Sequence, residues 1–367
     1  MTREKVMHMI CRATLSICAA FGSVAPAVAQ DNGSLFPDAA QLAHLLDVFD
    51  IPGLAMATLD DCVPRDVVTV GKADLSTGAD VTRHTAFEAA SLTKPVFAYL
   101  VMTLVAEGVI DLDQPIADSF DYARIADKVA YAQLTPRMIV THRTGLPNWV
   151  DEGTDFHERR AVIPFHAPPD RQFSYSGEAF QILQAFVEDQ TGQSLQEIFE
   201  ARLGTIMPNS TLQRPLPDSV TPSRGYETAR DADSGRGMVN IYDRAMAASS
   251  LATTADDYAA FLAHICRADG LPPDLHADMI RPQSPAPAAL IGADDGAGPS
   301  VLWGLGWMIV DLGPETLVGH GGSNDECNSF GGFIRPSGDG IVLLINGANG
   351  QHVIDAILMP DGDEATD

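Results

Sequence analysis

The chain has 367 residues, 46% hydrophobic and 20% charged, which is apolar content for roughly two packed domains and excludes a disordered, collagen-like or coiled-coil protein. Lys and Arg number 23 against 49 Asp and Glu, a formal charge of −26. Such a surface repels phosphate backbones and anionic lipid headgroups, which argues against a nucleic-acid partner.

Residues 1–29 read as a secretory signal peptide: a basic start (Arg3, Lys5, Arg12), an apolar run from Ala13 to Val24, and Ala27-Val28-Ala29 before a polar stretch. Cleavage is expected after Ala29, giving a secreted or periplasmic protein that begins at Gln30. The apolar run is short for a span, and no later stretch is long enough, so no membrane span is expected after cleavage. Cleavage removes three basic residues and one acidic residue, leaving 20 Lys and Arg against 48 Asp and Glu, or −28. Of five cysteines, Cys62, Cys266 and Cys327 remain. They permit at most one internal bridge and do not say which, so no disulfide is assumed.

After the leader, Leu42, Leu45, Leu46 and Phe49 repeat at helical spacing over 36–50. Strands are expected at 53–59 and 67–70. A helix is expected from about Ser91 to Glu107, stopped by Gly108, with Pro95 tolerated in its first turn. The stretch 106–265 is dominated by helical patterns, with helices expected at 178–190, 194–203 and 254–266. The polar, Pro-rich segment 207–240 reads as an extended loop lying over the site. Beyond it the period changes to that of strands, expected at 305–312, 315–318, 329–335 and 341–346, with Ser337-Gly338-Asp339-Gly340 as a hairpin turn. The expected architecture is α/β (α+β): an antiparallel sheet flanked by helices, built from 34–105 and 266–358, with a helical domain inserted over 106–265 and an acidic tail over 359–367.

Three short motifs carry candidate chemistry. Ser91-Leu92-Thr93-Lys94 places a hydroxyl and an amine three residues apart, on one face of a helix. A serine needs a neighbour to take its proton, and a desolvated lysine can do so. With 20 serines and four lysines, chance gives on the order of 0.2 such matches. Alone, the pair reads equally well as a helix cap with a surface lysine. Tyr175-Ser176-Gly177 precedes the 178–190 helix, where a phenol can relay a proton or simply sit in the core. His320-Gly321-Gly322-Ser323 ends an expected strand, where a histidine can orient groups or carry charge, or the run is only a Gly-rich turn. There is no H-x-H or H-E-x-x-H pair, no G-x-S-x-G elbow, and no G-x-G-x-x-G or Walker loop, so neither a metal nor a cofactor is expected.

Taken together, the three motifs resemble those of the serine β-lactamase and penicillin-binding protein superfamily, S-x-x-K, then Ser/Tyr-x-Asn, then Lys-Thr-Gly, in its class C-like branch. Further segments are similar to that superfamily: Phe87–Ala90, Gly108–Pro115, Leu134–Pro147, Phe173–Gly177, Ser250–Asp256 and Val318–Ser323. The resemblance covers about 38–350. It implies a β-lactamase/transpeptidase-like fold with the site between sheet and helical insert. It implies Ser91 as the acylated nucleophile and Lys94 as its base. It implies Tyr175 in proton transfer and deacylation, and His320 where the family has its third-motif cation. The oxyanion hole would be the backbone N–H groups of Ser91 and Ser323, with Gly177, Gly321 and Gly322 contacting a small-molecule or peptide substrate. Two departures stand out. Gly177 replaces asparagine and removes an amide, and Gly321 replaces threonine and removes a hydroxyl. Asp325, Glu326 and Cys327, just past the third motif, read as a solvated loop. The expected function is a secreted serine hydrolase acting on esters or amides through an acyl-enzyme. The alternatives are a D-alanyl peptidase, a β-lactamase proper, or a non-catalytic β-lactam- or peptidoglycan-binding sensor.

Overall fold

The structure, a computed structural model, describes residues 36–150, 159–291 and 299–359. The expected signal peptide and, apart from Met359, the acidic tail lie outside the described residues.

Helix α1 (Ala39–Phe49) opens with a reciprocal capping box between Asp38 and Gln41 and closes on Asp50 in the left-handed region. Strands β1 (Gly53–Asp60), β2 (Val63–Asp74), β3 (Ala79–Asp80) and β4 (Thr85–Glu88) follow. A 3-10 turn over Ala90–Leu92 leads into helix α2 (Thr93–Ala106). The helical stretch holds α3 (Lys128–Tyr131), α4 (Pro136–Val140), α5 (Gly177–Thr191) and α6 (Leu195–Leu203). After the two-residue strands β5 (Thr221–Pro222) and β6 (Ala252–Thr253) come α7 (Ala255–Cys266) and α8 (Pro273–Met279). The chain ends with β7 (Ser284–Pro285), β8 (Ser300–Trp303), β9 (Met308–Asp311), β10 (Thr316–Asn324), β11 (Cys327–Arg335), β12 (Gly340–Ile345) and α9 (Gly350–Leu358).

Nine strands form one antiparallel sheet in the order β3-β2-β1-β12-β11-β10-β9-β8-β7. The first and last long strands are neighbours inside it, Leu54 opposite Ile345 and Ala57 opposite Val342. Both faces of these strands are buried. Leu54, Met56, Leu343 and Ile345 pack with Leu42, Leu45 and Leu46 of α1 and Val353, Ile354 and Ile357 of α9. Ala55, Ala57, Val342 and Leu344 face a larger core shared with α2, α5 and α7. Burial of apolar side chains on both faces explains why β12 reads as an unbroken apolar run rather than an alternating one.

Several elements differ from expectation. The strand expected at 305–312 is only Met308–Asp311, because Gly306 takes a left-handed φ of +79° in a turn closed by Gly304 N–H to Trp307 O. That turn joins β9 to a strand not anticipated, β8. The strand expected at 315–318 runs on to Asn324, so His320 lies inside a strand and not at its end. Helix α7, assigned by its sequence to the inserted stretch, packs on β1, β2, β11 and β12. Its Tyr258 hydroxyl donates to Leu92 O, 3.2 Å away. Cys62, in the β1–β2 turn, is disulfide-bonded to Cys266 at the end of α7, and Cys327 is a buried free thiol. Among the described residues no helix is long and apolar enough to cross a membrane, and no group of three or more His, Cys, Asp or Glu could hold a metal ion.

Candidate active site

The turn before α2 presents Ser91. Ala90 adopts φ 46°, an unfavourable value for a residue with a Cβ, and the chain reverses there from β4 into the helix. Three side-chain bonds hold this turn. Thr93 Oγ1 donates to Ala90 O (2.6 Å) and accepts from Leu251 N–H (2.9 Å), and Ser329 Oγ of β11 donates to Ala89 O (2.8 Å). Strand β10 passes against the same turn. A Cβ on Gly322 would lie 2.5 Å from Ala89 O and 3.0 Å from Ser91 N. Glycine is therefore required where the third motif crosses the Ser91 turn, which puts the backbone of Gly322 beside the Ser91 N–H. That N–H is a first-turn donor with no acceptor inside the helix.

Lys94, in the first turn of α2, is 1% exposed. Its Nζ stands 3.1 Å from Ser91 Oγ and 2.8 Å from Ala248 O, and lies 4.8 Å from the centre of the Tyr175 ring. Burial without a carboxylate partner pushes its pKa down from the usual lysine value to about 7. The Tyr175 phenol hydrogen-bonds Ser91, and burial of its ring raises its pKa. The two groups are thus driven apart: at neutral pH the lysine is partly unprotonated and the phenol retains its proton. Ser91 itself stays partly open to solvent.

His320 is brought to the same cluster, its ring 6.2 Å from that of Tyr175 and 5.3 Å from that of Trp303. Of the two roles open to it, orienting groups or carrying charge, its burial favours the first. Burial, with the nearby Lys94 as a second cause, lowers its pKa to about 3. Its Nδ1–H donates to Gly321 O, so the neutral ring turns an unprotonated Nε2 inward.

Gly177 opens α5, behind the Ser176 N-cap. Its place beside the site is filled by another residue. A Cβ there would overlap Trp149 Cη2 and Cζ2 and lie 2.8 Å from Cε2. A Cβ on Gly321, by contrast, would meet Ser329 O at an ordinary 3.9 Å and, among the described residues beyond its chain neighbours, nothing nearer.

Residues without a motif complete the site. The Ala248 carbonyl is aimed by its neighbours, since Ala248 N–H donates to Gln181 Oε1 (3.1 Å) and Ala247 N–H to Gln184 Oε1 (2.8 Å). His142 is buried in the left-handed region (φ 54°), 4.3 Å from the Tyr175 ring centre. It accepts Ser176 N–H on Nδ1 at 3.1 Å, and burial keeps it neutral. Trp303 packs edge-on against Tyr175 and His320. Glu88, buried three residues before Ser91, accepts Asn240 N–H (3.2 Å), Asn240 Nδ2 (2.9 Å) and Asn324 Nδ2 (3.2 Å). Burial raises its pKa against these bonds. It fastens the 207–240 segment to β10 next to Ser323, and Arg236 adds an ion pair with Glu326 at 3.2 Å. Glu326 and Cys327 are buried, so of the stretch read as a solvated loop only Asp325 is exposed.

A model of the family described as Beta-lactamase matches residues 40–362. The chain is 28% identical over 330 residues to Penicillin-binding protein 4 of Amycolatopsis lactamdurans, covering 83% of this chain and 85% of that protein. It is 26% identical over 341 residues to Esterase EstB of Burkholderia gladioli, covering 76% of this chain and 81% of that one. Its fold is similar to that of D-amino acid amidase from Ochrobactrum anthropi SV3, with a TM-score of 0.69 at 21% identity, covering 88% of this chain and 98% of that chain.

Proposed function

The chain belongs to the Beta-lactamase family of serine hydrolases, and we propose that it is an exported hydrolase of carboxylic esters acting through an acyl-enzyme on Ser91. The observation that carries the reading is the state of Lys94: buried, 3.1 Å from Ser91 Oγ, and shifted by burial to about 7, where an amine accepts a proton without remaining fully charged.

In acylation, Lys94 Nζ takes the hydroxyl proton as Ser91 Oγ bonds to the ester carbonyl carbon. The carbonyl electron pair moves onto oxygen, which the Ser91 and Ser323 backbone N–H groups hold. Collapse re-forms the carbonyl and breaks the bond to the alcohol, which leaves with a proton returned from Lys94 through the Tyr175 phenol. In deacylation, water gives its proton to the same pair and adds to the acyl carbon. Ser91 Oγ then departs and is reprotonated. Tyr175 acts throughout as a protonated relay, in keeping with its raised pKa. His320 acts as a neutral group that shapes the pocket around Tyr175.

Two features favour an ester over a β-lactam or a D-alanyl peptide. The second motif has no amide, because residue 177 is glycine, and Trp149 fills the space beside it. The third motif has no cation, because His320 is held neutral. The neutral reading of these positions also tells against a mere binder, since Ser91, Lys94 and Tyr175 form a proton-transfer set that binding does not need. Export is supported by the signal layout and by the Cys62–Cys266 disulfide, a bond that persists in oxidising compartments. The test is a parallel assay of a chromogenic ester, a chromogenic amide, a chromogenic cephalosporin and a D-Ala-D-Ala peptide. The ester is expected to turn over fastest and to leave an adduct on the peptide holding Ser91. Full ester hydrolysis by Ser91→Ala would overturn the reading.

A further inference from the structure

The segment Pro147–Val150 is zipped to the start of α5. Ser176 Oγ donates to Pro147 O (2.6 Å), Gly177 N–H to Asn148 Oδ1 (2.9 Å) and Glu178 N–H to Asn148 O (3.0 Å), while Val150 N–H donates to Glu178 Oε1 (3.0 Å). Glu178 is itself fully buried and paired with Arg124 at 2.9 Å. The backbone on both sides of Trp149 is therefore fixed, and the Arg159 guanidinium lies over its ring at 5.3 Å. The half-buried indole occupies the volume that a side chain at position 177 would take, two residues from Tyr175.

We propose that Trp149 is the specificity-determining residue of this site: its indole replaces the missing amide as a rigid aromatic wall, selecting apolar acyl groups unbranched next to the carbonyl. An indole face offers apolar contact and no hydrogen-bond acceptor, so an acyl group bearing a polar amide substituent gains nothing there and loses its water. Because its backbone is pinned, the wall can yield to a substituent next to the reacting carbonyl only by leaving its rotamer and its contact with Arg159. Gly177 and Trp149 are then one device, since the indole fits only because residue 177 lacks a Cβ.

The proposal rests on the ester-hydrolase reading, and its test separates the two. The wild type and variants are assayed on p-nitrophenyl acetate and on the α-branched p-nitrophenyl 2-phenylbutanoate, with intact mass to detect acylation. Trp149→Ala is expected to raise the kcat/KM ratio of branched to acetyl ester about tenfold or more, the scale on which pocket space discriminates. Trp149→Phe keeps a ring and is expected to hold the ratio within about twofold of wild type. A purely structural role would lower both rates together and leave the ratio unmoved. Gly177→Asn collides with the indole and is expected to lose at least about tenfold in kcat/KM on both esters, whereas Trp149→Ala/Gly177→Asn recovers at least about fivefold over Gly177→Asn. An unchanged ratio in Trp149→Ala, or no recovery in the double variant, overturns the assignment while leaving the ester reading intact. Absence of any acyl-enzyme in the wild type overturns both.

Discussion

The amine nitrogen of Lys94 lies 4.8 Å from the centre of the Tyr175 ring, and one enclosure moves their two pKa values in opposite directions, the lysine down to about 7 and the phenol up. Desolvation disfavours whichever form is charged, so it unprotonates an amine and protonates a phenol.

The kcat/KM for ester hydrolysis is expected to rise with pH through a limb near 7, where Lys94 loses its proton and becomes a base, and then to stay level to about pH 9. Lys94→Arg keeps a charge that cannot be shed and is expected to lose about 100-fold or more in kcat. A pH–rate profile checks both.

The limb near pH 7 is expected to survive in His320→Asn. Burial holds His320 at about 3, so the ring is already neutral throughout that range and cannot be the group that titrates. A limb that vanished with His320 and persisted in a Lys94 variant would reverse the assignment of charge.

Stability should carry the same signature. The unfolded lysine keeps its proton up to its ordinary value near 10.5, whereas the folded one releases it at about 7. The unfolded state therefore binds more protons between those limits, and stability rises with pH at a slope approaching about 1.4 kcal/mol per unit. The slope is expected to disappear in Lys94→Met. Denaturant melts of both proteins at pH 7, 8 and 9 give the comparison.

Adjacent glycines of the third motif are expected to respond differently to alanine. At Gly322 a Cβ meets Ala89 O at 2.5 Å and Ser91 N at 3.0 Å, which pushes β10 off the nucleophile. Losing that alignment is expected to lower kcat about 100-fold, the usual scale for one oxyanion donor. At Gly321 a Cβ would meet Ser329 O at 3.9 Å, an ordinary contact, and the loss should be at least about tenfold smaller.

Cys62→Ser/Cys266→Ser is expected to cost about 2–5 kcal/mol in urea unfolding while retaining ester hydrolysis at 25 °C, since the bridge ties the far end of α7 to the β1–β2 turn and touches nothing at Ser91. In the native wild type, thiol titration should count no reactive cysteine among the three described until denaturant exposes Cys327.

Ser91, Lys94, Tyr175 and His320 were legible in the sequence because each lies in a short motif, and local spacing is what a linear reading sees. The rest of the site depends on contacts that carry no local mark. Ala248 acts through its backbone carbonyl, which any residue would supply, and its signal lies 64 or more residues away in Gln181 and Gln184. Trp149 and Gly177 explain each other only once folding brings them together. Spacing reveals His320 but not how deeply it is buried, and so not whether its ring is charged. Three cysteines could not name their own pair, and β8, with Trp303, is a four-residue strand too short to show a period. Helix α7 was recognised as a helix, but amphipathic spacing does not say which surface it will cover.

The pairing of β1 with β12 also sets when the enzyme comes into being. The ribosome makes β1 long before β12, its neighbour in the sheet, exists. Strand β11, whose Ser329 steadies the nucleophile turn, and β10, which crosses Ser91, arrive just as late. Ser91 and Lys94 are thus synthesised long before they are placed, and a chain that stops short of β11 is expected to be inert, not partly active. For a protein read as leaving the cell, late completion keeps Ser91 and Lys94 unassembled until β10 and β11 have been made.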